Sequence, residues 1–233
     1  MNNTETIVFR KEQIDAIEQT VKCFQHGRRM LWNAKMRFGK TLCAIEVAHR
    51  MGYRRTLVIT HRPAVRGEWQ ESLNKLKLDN WIYGSRLKLQ TEAQQGNDSI
   101  INRNFEQLET EAANNPSIHY IYFASMQDMR GSRRVNQQKG IDKNDNVFSA
   151  KWDFVIIDEA HEGVVSRLGN EVINELQKRR SLRTLYLSGT PYNIQAMFDT
   201  NDVYHWDYCM EQKAKAYYPT QHPGEHNYLV TKS

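Results

Sequence analysis

The chain has 233 residues, of which 39% are hydrophobic and 25% are charged, a composition typical of an ordinary soluble protein. No apolar run approaches the roughly 18 residues that a membrane-spanning helix needs, and the N-terminus lacks the apolar core of a signal peptide. Three widely spaced cysteines, Cys23, Cys43 and Cys209, argue against a disulfide framework or a metal cluster and predict a reducing cytoplasm. The formal net charge of +5 favours an anionic partner only mildly, since a solvated surface explains it equally well.

Apolar segments of strand length recur along the chain, at residues 29–34, 55–60, 119–125, 153–158 and 183–189. They lack the polar alternation of a half-exposed sheet, which indicates strands buried on both faces. Helical patterns separate them, and the first places Ile14, Ile17, Val21 and Phe24 on one apolar stripe. Further helical patterns cover residues 41–51, 65–76 and 170–180. The alternation of strand and helix predicts a doubly wound α/β domain.

Three stretches interrupt this alternation. Residues 84–118 are polar, with one helical pattern at 102–113, and residues 130–147 are expected to form a long mobile loop. From residue 201 the chain is aromatic and irregular, and we expect no closing element there.

Gly39, Lys40 and Thr41 lie between the first predicted strand and a helical pattern, the context of a phosphate-binding loop. Backbone N–H groups and the helix N-terminus would bind phosphates, and Gly39 would let the backbone approach closely. Lys40 would reach the β- and γ-phosphates of ATP, and the Thr41 hydroxyl would help to hold Mg²⁺. The alternative is a chance Gly-Lys-Thr in a basic protein, which the flanking elements disfavour.

Asp158 and Glu159 follow a buried apolar strand, at the end where ligands bind in α/β sheets. Asp158 would hold Mg²⁺ directly or through water, and Glu159 would orient and deprotonate the attacking water. Glu159 and Lys40 are therefore the predicted catalytic residues. The alternative is that the two acids only end a strand and cap the next helix.

These residues also carry a resemblance to a known family. Asp158-Glu159-Ala160-His161 resembles motif II of the DEAD/DEAH-type superfamily-two helicases and translocases. Ser188, Gly189, Thr190 and Pro191 resemble motif III, which links the state of ATP to nucleic acid in that family. Residues 9–17 resemble the Q motif, which implies that Gln13 reads adenine. The resemblance also implies that His161 couples the ATP site to motif III.

Two further segments match the family more loosely. Residues 58–73 resemble motif Ia, and residues 123–129 resemble the following segment that contacts nucleic acid. Arg62, Ser125 and Gln127 are the implied nucleic-acid contacts, although Arg62 fits equally well as an ordinary loop charge. The tryptophans Trp32, Trp69 and Trp152 are interpreted as packing residues.

The phosphate loop departs from the family pattern A-x-x-G-x-G-K-T at one position. Ala34 occupies its first position, but Arg37 stands where the family usually has glycine. This form resembles the motor subunits of type I and type III restriction enzymes. Arg37 is included among the nucleotide-binding residues, and whether it lies over the phosphates or points to solvent stays open.

The resemblance implies a RecA-like P-loop NTPase domain, with a mostly parallel sheet between helices, that binds ATP and Mg²⁺. We assign residues 1–200 to this domain and residues 201–233 to an irregular tail leading toward a second RecA-like domain. Because the second domain of such motors supplies arginine fingers, typically worth about 10³–10⁵ in rate, the isolated chain is expected to hydrolyse ATP weakly.

The sequence thus predicts the first motor domain of a DNA helicase or translocase related to restriction and modification. Its expected partners are nucleic acid, with DNA favoured over RNA, the second motor domain, and nuclease or modification subunits; no membrane partner is expected. Two alternatives stay open: an RNA helicase domain, and a nucleotide-gated binding module without useful turnover.

Overall fold

The computed structural model describes residues 7–61, 63–86, 103–136, 144–164 and 166–221, and one seven-stranded sheet crosses these ranges. The strands are β1 (Arg29–Ala34), β2 (Arg55–Thr60), β3 (Trp81–Ser85), β4 (His119–Ser125), β5 (Phe154–Asp158), β6 (Arg183–Ser188) and β7 (Val203–Trp206). The order across the sheet is β3-β4-β2-β5-β6-β1-β7, and every pairing between neighbours is parallel.

Helices cover both faces of the sheet, so the predicted α/β architecture is confirmed. One buried apolar cluster joins the helices of residues 11–76 to one face of the sheet, and a second joins the helices of residues 105–177 to the opposite face. None of the described helices is long and apolar enough to cross a membrane. The helices are α1 (Lys11–His26), α2 (Lys40–Arg50), α3 (Arg66–Leu76), α4 (Phe105–Asn114), α5 (Met126–Arg130), α6 (Asp145–Ser149), α7 (Ala160–Gly163), α8 (Arg167–Gln177) and α9 (Tyr208–Gln221).

Central strand β5 shows why the predicted strands read as continuous apolar runs. Phe154 and Ile156 belong to the cluster beneath α1, α2 and α3, whereas Val155 and Ile157 belong to the cluster on the other face. Successive side chains of a strand point to opposite faces, so a strand covered on both sides needs apolar residues at every position. All five predicted strands are present, with bounds within one residue of those expected.

The two edges of the sheet differ from expectation. Residues 84 and 85, placed in a polar interruption, are the last two of β3, and the irregular tail expected from residue 201 is wrong for residues 203–221. There, β7 pairs in parallel with β1 over Leu31–Ala34 and leads into α9. A four-residue edge strand is too short to show a recognisable sequence pattern. Its stability comes from pairing and packing with residues distant in sequence, which a local pattern does not show.

The long loop expected at residues 130–147 is partly structured. Arg130 ends α5, Val135 is buried, and α6 begins at Asp145. Residues 137–143 lie outside the described residues. Long-range burial of Val135 among the residues of the second cluster explains why the polar local sequence misled the prediction.

Gly84 in β3 lies against α4 and the residues that lead into it. A Cβ atom at this position would lie 2.4 Å from the carbonyl oxygen of Arg103 and 2.7 Å from Cδ1 of Leu108. The backbone oxygen cannot move away as a flexible side chain could, so only glycine fits there.

We therefore expect Gly84→Ala to lower the free energy of unfolding by about 1–3 kcal/mol, the usual range for overpacking a filled site. Urea denaturation monitored by circular dichroism measures this change. Gly67→Ala in α3 is the matched control, because its Cβ would meet no atom within 4 Å. It should be neutral or stabilising by up to about 1 kcal/mol. Equal losses from both variants would contradict the close packing of α4 on β3.

Candidate nucleotide-binding site

The sheet order places three predicted segments side by side. Strands β5, β6 and β1 are neighbours, and their carboxyl ends carry Asp158, Ser188 and Ala34. Parallel strands present these ends at one edge of the sheet, where ligands bind in open α/β folds. The structure therefore brings together the Gly-Lys-Thr loop, the acidic pair and the Ser-Gly-Thr-Pro segment.

The loop between β1 and α2 is anchored from within by Phe38. Its side chain is fully buried, and its ring centroid lies 6.3 Å from that of Trp32, 6.0 Å from that of Tyr204 and 6.4 Å from that of Trp206. The loop therefore owes its position to a core contact in its middle, and two of the three aromatic neighbours belong to β7.

Gln13 ties α1 to the same point of the loop. Its Nε2 donates to the Phe38 carbonyl at 2.8 Å, and its Oε1 accepts from the Arg10 backbone N–H at 2.9 Å. The Arg10 guanidinium also donates to the Phe38 carbonyl, at 3.0 Å. Both polar atoms of the Gln13 amide are thus engaged within the protein, and the reading of adenine by Gln13 stays a prediction.

Two residues of the loop have left-handed backbones. Gly39 has φ 89°, which glycine adopts readily, whereas Arg37 has φ 64°, where a residue with a Cβ is strained by about 1–2 kcal/mol. The Arg37 side chain is exposed. The chain thus has at this position a backbone conformation that glycine adopts more readily, and it places a cation on the outside of the loop.

Lys40 folds back across the loop. Its Nζ donates to the carbonyls of Ala34 at 2.8 Å and Lys35 at 3.2 Å. Burial lowers the pKa of Lys40, while the carboxylates of Glu159 and Asp158 act in the opposite direction. The ammonium of the loop therefore lies within the field of the acidic pair. Thr41 follows in the first turn of α2 and is partly buried.

Asp158 is held by two hydrogen bonds at the end of β5. Its Oδ2 accepts from the indole N–H of Trp69 at 3.3 Å, and its Oδ1 accepts from the Glu159 backbone N–H at 3.0 Å. Burial and the adjacent Glu159 raise the pKa of Asp158 to about 6 against the opposing effect of these bonds and of Lys40. Two neighbouring carboxyl groups in a partly desolvated place form an oxygen-rich site suited to Mg²⁺.

Trp69 was interpreted as a packing residue, and it is fully buried in α3, but it also orients Asp158. No local sequence pattern indicates this bond, because the two residues are 89 positions apart. Glu159 itself has φ 49°, another left-handed position for a residue with a side chain. The turn after β5 is therefore strained, which sets the direction of the Glu159 side chain as the chain enters α7.

His161 joins the acidic pair to the Ser-Gly-Thr-Pro segment. Its Nδ1 lies 2.9 Å from Oγ of Ser188 and 3.6 Å from Oε2 of Glu159, and Ser188 Oγ accepts from the Thr190 backbone N–H at 3.1 Å. A short polar path thus runs from Glu159 to the chain after β6.

The remainder of that segment lies against the loop. A Cβ at Gly189 would sit 3.8 Å from the Ala34 carbonyl oxygen, which is an ordinary contact. The Pro191 carbonyl accepts from the N–H groups of Ile194 and Gln195 and so closes the next turn.

Two of the predicted nucleic-acid contacts, Ser125 and Gln127, lie on the other half of the same edge. Ser125 ends β4, is buried, and its Oγ accepts from the Asp128 backbone N–H at 3.1 Å, so it caps α5. Gln127 is exposed. Both line a cavity of about 280 Å³ together with Ser85, Arg86, Phe123, Ala124 and Asp128. Arg62 lies outside the described residues.

The chain is similar in sequence to known proteins over most of its length. The family described as type III restriction enzyme, res subunit, matches residues 6–193. A Mycoplasma pneumoniae protein, named as the C-terminus of a type II restriction enzyme and methyltransferase, is 24% identical over 257 aligned positions. The match covers 93% of this chain and 33% of that protein, so the chain spans about a third of the relative's length.

Solved structures show the same fold at low sequence identity. The Sulfolobus solfataricus SWI2/SNF2 ATPase core in complex with dsDNA is 18% identical with a TM-score of 0.55, covering 84% of this chain and 34% of that one. A nuclease-deletion mutant of the type ISP restriction-modification enzyme LlaGI, in complex with a DNA substrate mimic, is 13% identical. Its TM-score is 0.57, and the match covers 92% of this chain and 22% of that one. The predicted RecA-like fold of helicase cores is therefore confirmed.

The contact between Gly39 and Gln13 can be tested by adding one methyl group. A Cβ at Gly39 would lie 2.7 Å from Nε2 of Gln13, whereas a Cβ at Gly52, which also has positive φ, would meet no atom within 4 Å. Both Gly→Ala variants strain the backbone by about 1–2 kcal/mol. We expect Gly39→Ala to lose more unfolding free energy in urea than Gly52→Ala, because only Gly39→Ala also displaces the Gln13 amide.

A double-mutant cycle with Gln13→Ala isolates this excess. In the Gln13→Ala background, the two glycine variants should cost similar amounts, because the clashing amide is gone. If Gly39→Ala costs no more than Gly52→Ala in the original background, the assigned contact between α1 and the loop is wrong.

Proposed function

Since this chain belongs to the family of type III restriction enzyme res subunits, we propose that it is the ATP-binding and ATP-hydrolysing first motor domain of a DNA helicase or translocase. The observation that carries this proposal is the adjacency of β5, β6 and β1, which places the Lys40 loop beside Asp158 and Glu159. A restriction–modification system is the proposed setting, because the family and the curated relative both bear restriction-enzyme names.

The loop is proposed to bind the phosphates of ATP. The backbone from Ala34 to Gly39 and the N-terminus of α2 present N–H groups, and Lys40 exchanges the carbonyls of Ala34 and Lys35 for β- and γ-phosphate oxygens. Arg37 sits on the exposed side of the loop, where its guanidinium can reach a phosphate from outside. Gln13 is the proposed adenine contact, held next to the loop by its bond to Phe38.

Thr41 and Asp158 are proposed to hold Mg²⁺, which would neutralise charge on the phosphates. The donor set fits this ion, because Mg²⁺ takes one or two protein oxygens together with phosphate oxygens and water. No group of three or more His, Cys, Asp or Glu side chains in the described ranges is placed to hold a metal, and this mode of binding needs none. Trp69 donates a hydrogen bond to the Asp158 carboxylate and so restricts its orientation.

Glu159 is proposed to orient and deprotonate the attacking water. Its carboxylate lies near Nδ1 of His161, which also contacts Ser188, so movement of the chain after β6 could be transmitted to the proposed base. His161, Ser188, Gly189, Thr190 and Pro191 would in this way couple hydrolysis to events outside the ATP site.

The proposed nucleotide-binding domain extends past residue 200, because β7 and α9 belong to the same sheet and core. A second RecA-like domain is the proposed partner across the ATP site, and the match to about a third of the curated relative leaves length for it. Its arginines would complete the electrostatic stabilisation of the transferring phosphate, so the present chain alone should turn over slowly.

DNA is the proposed nucleic acid, supported by the restriction-enzyme family and by the DNA-bound relatives of the same fold. Arg62, Ser125 and Gln127 are the proposed contacts to its backbone. Nuclease or modification subunits are further proposed partners. An RNA helicase domain, and a nucleotide-gated binding module without useful turnover, are the alternatives.

We expect Glu159→Gln to retain Mg-ATP binding and to lose hydrolysis, because the amide is nearly isosteric but cannot accept the proton of water. Calorimetric titration with ATP measures binding, and phosphate release under single-turnover conditions measures hydrolysis. The expected loss of rate is about 10²–10⁴-fold, the usual contribution of a general base.

Lys40→Ala provides the contrast, since it should lose ATP affinity while circular dichroism shows an intact fold. It removes a charge that faces the phosphates and no core volume. Loss of ATP binding in Glu159→Gln, together with retained ATP binding in Lys40→Ala, would contradict the roles assigned to both residues.

ATPase assays with duplex DNA, RNA or neither separate the proposed function from its alternatives. We expect duplex DNA to raise the rate above that with RNA of equal length, and we expect the stimulation to fall steeply with salt because phosphate contacts dominate nonspecific binding. Greater stimulation by RNA would favour an RNA helicase. Absence of turnover under all three conditions, with ATP binding intact, would favour the binding module.

A further inference from the structure

Helix α9 is fastened to the phosphate loop by Lys35, the residue that follows Ala34. The Lys35 ammonium forms an ion pair with the Glu211 carboxylate and lies 5.5 Å from the centroid of the Tyr208 ring. The Lys35 backbone N–H donates to the Trp206 carbonyl at 3.0 Å. Backbone and side chain of one loop residue thus both contact the chain at the end of β7 and the start of α9.

This ion pair is partly shielded from water. The side chains of Lys35 and Glu211 are 30% and 16% exposed, so their attraction is screened less than that of a pair on the open surface. Lys215 lies 3.9 Å from the same carboxylate, one helical turn further along. If Lys35 leaves, the Lys215 ammonium can therefore still form an ion pair with the Glu211 carboxylate.

Lys35 also binds the Lys40 ammonium, which is proposed to contact the phosphates of ATP. Its carbonyl accepts a hydrogen bond from Nζ of Lys40 at 3.2 Å, and Lys40 must leave that carbonyl to reach a phosphate. Nucleotide phosphates would bring several negative charges to a loop whose Lys35 ammonium is already bound to a carboxylate. The two anions would compete for one cation.

We infer that Glu211 is an internal counter-charge for the phosphate loop, and that Lys35 exchanges it for a nucleotide phosphate when ATP binds. The exchange would release the first turns of α9 from the loop, so the mobility of this helix would depend on whether ATP is bound. Glu211 is a positioning residue in this scheme and touches no reacting atom. The inference rests on the proposed binding of ATP to the loop.

If carboxylate and phosphate compete for Lys35, removing the carboxylate should raise the affinity for nucleotide. Glu211→Gln removes the competing charge, so Mg-ATP should bind about three- to tenfold more tightly, as expected for losing one partly shielded ion pair. Isothermal titration of the 233-residue chain measures this. Gln212→Lys is the matched control, because it makes the same change of +1 in charge at the next residue of α9. Gln212 is exposed, and its side chain leaves the helix in a different direction from that of Glu211. It should change affinity less than twofold.

A double-mutant cycle ties the effect to the loop. In a Lys35→Gln background, Glu211→Gln should no longer raise affinity, because the cation for which carboxylate and phosphate compete is gone. An equal gain in both backgrounds would show a general effect of charge and would overturn the inference.

Hydrogen exchange of the unmodified chain supplies a measurement that needs no variant. Saturating Mg-ATP should slow exchange in the phosphate loop and speed it in peptides covering residues 207–216. Slower or unchanged exchange in α9, or equal affinities of Glu211→Gln and Gln212→Lys, would overturn the inference while leaving ATP binding in place. Failure of the unmodified chain to bind Mg-ATP would instead reject the proposed function, and the inference with it.

Discussion

The burial of Phe38 is the constraint on which the proposed nucleotide site depends. A loop that offers its backbone N–H groups to a ligand has few internal bonds of its own, so its shape must be held by something else. Here the Phe38 ring is enclosed by Trp32, Tyr204 and Trp206, and its carbonyl is held by Gln13 and Arg10. Strand β7 therefore supports the loop although it contains none of the expected motifs.

The distribution of the motifs follows from the order of the strands. Segments far apart in sequence meet at β5, β6 and β1, whereas Ser125 and Gln127 lie across β2 on the far half of the same edge. One rigid sheet thus fixes the distance between the two groups of residues. The polar path from Glu159 through His161 to Ser188 lies entirely within the first group, because it joins the chain after β5 to the end of β6.

Much of this arrangement could be predicted from sequence, because the central strands are continuous apolar runs and the motifs follow them directly. The short edge strands β3 and β7 could not, since their stability comes from pairing with distant residues. The bond from Trp69 to Asp158 and the ion pair of Lys35 with Glu211 join residues 89 and 176 positions apart. No local pattern carries such contacts, which exist only once the strands are in order.

The left-handed backbone at Arg37 has an evolutionary consequence. Codons for arginine and glycine differ by a single base, and glycine would adopt φ 64° without the strain of about 1–2 kcal/mol that a side chain brings. Random substitution filtered by folding stability alone would therefore drift toward glycine at this position. An arginine there makes sense where its side chain contributes to fitness by more than the stability it costs.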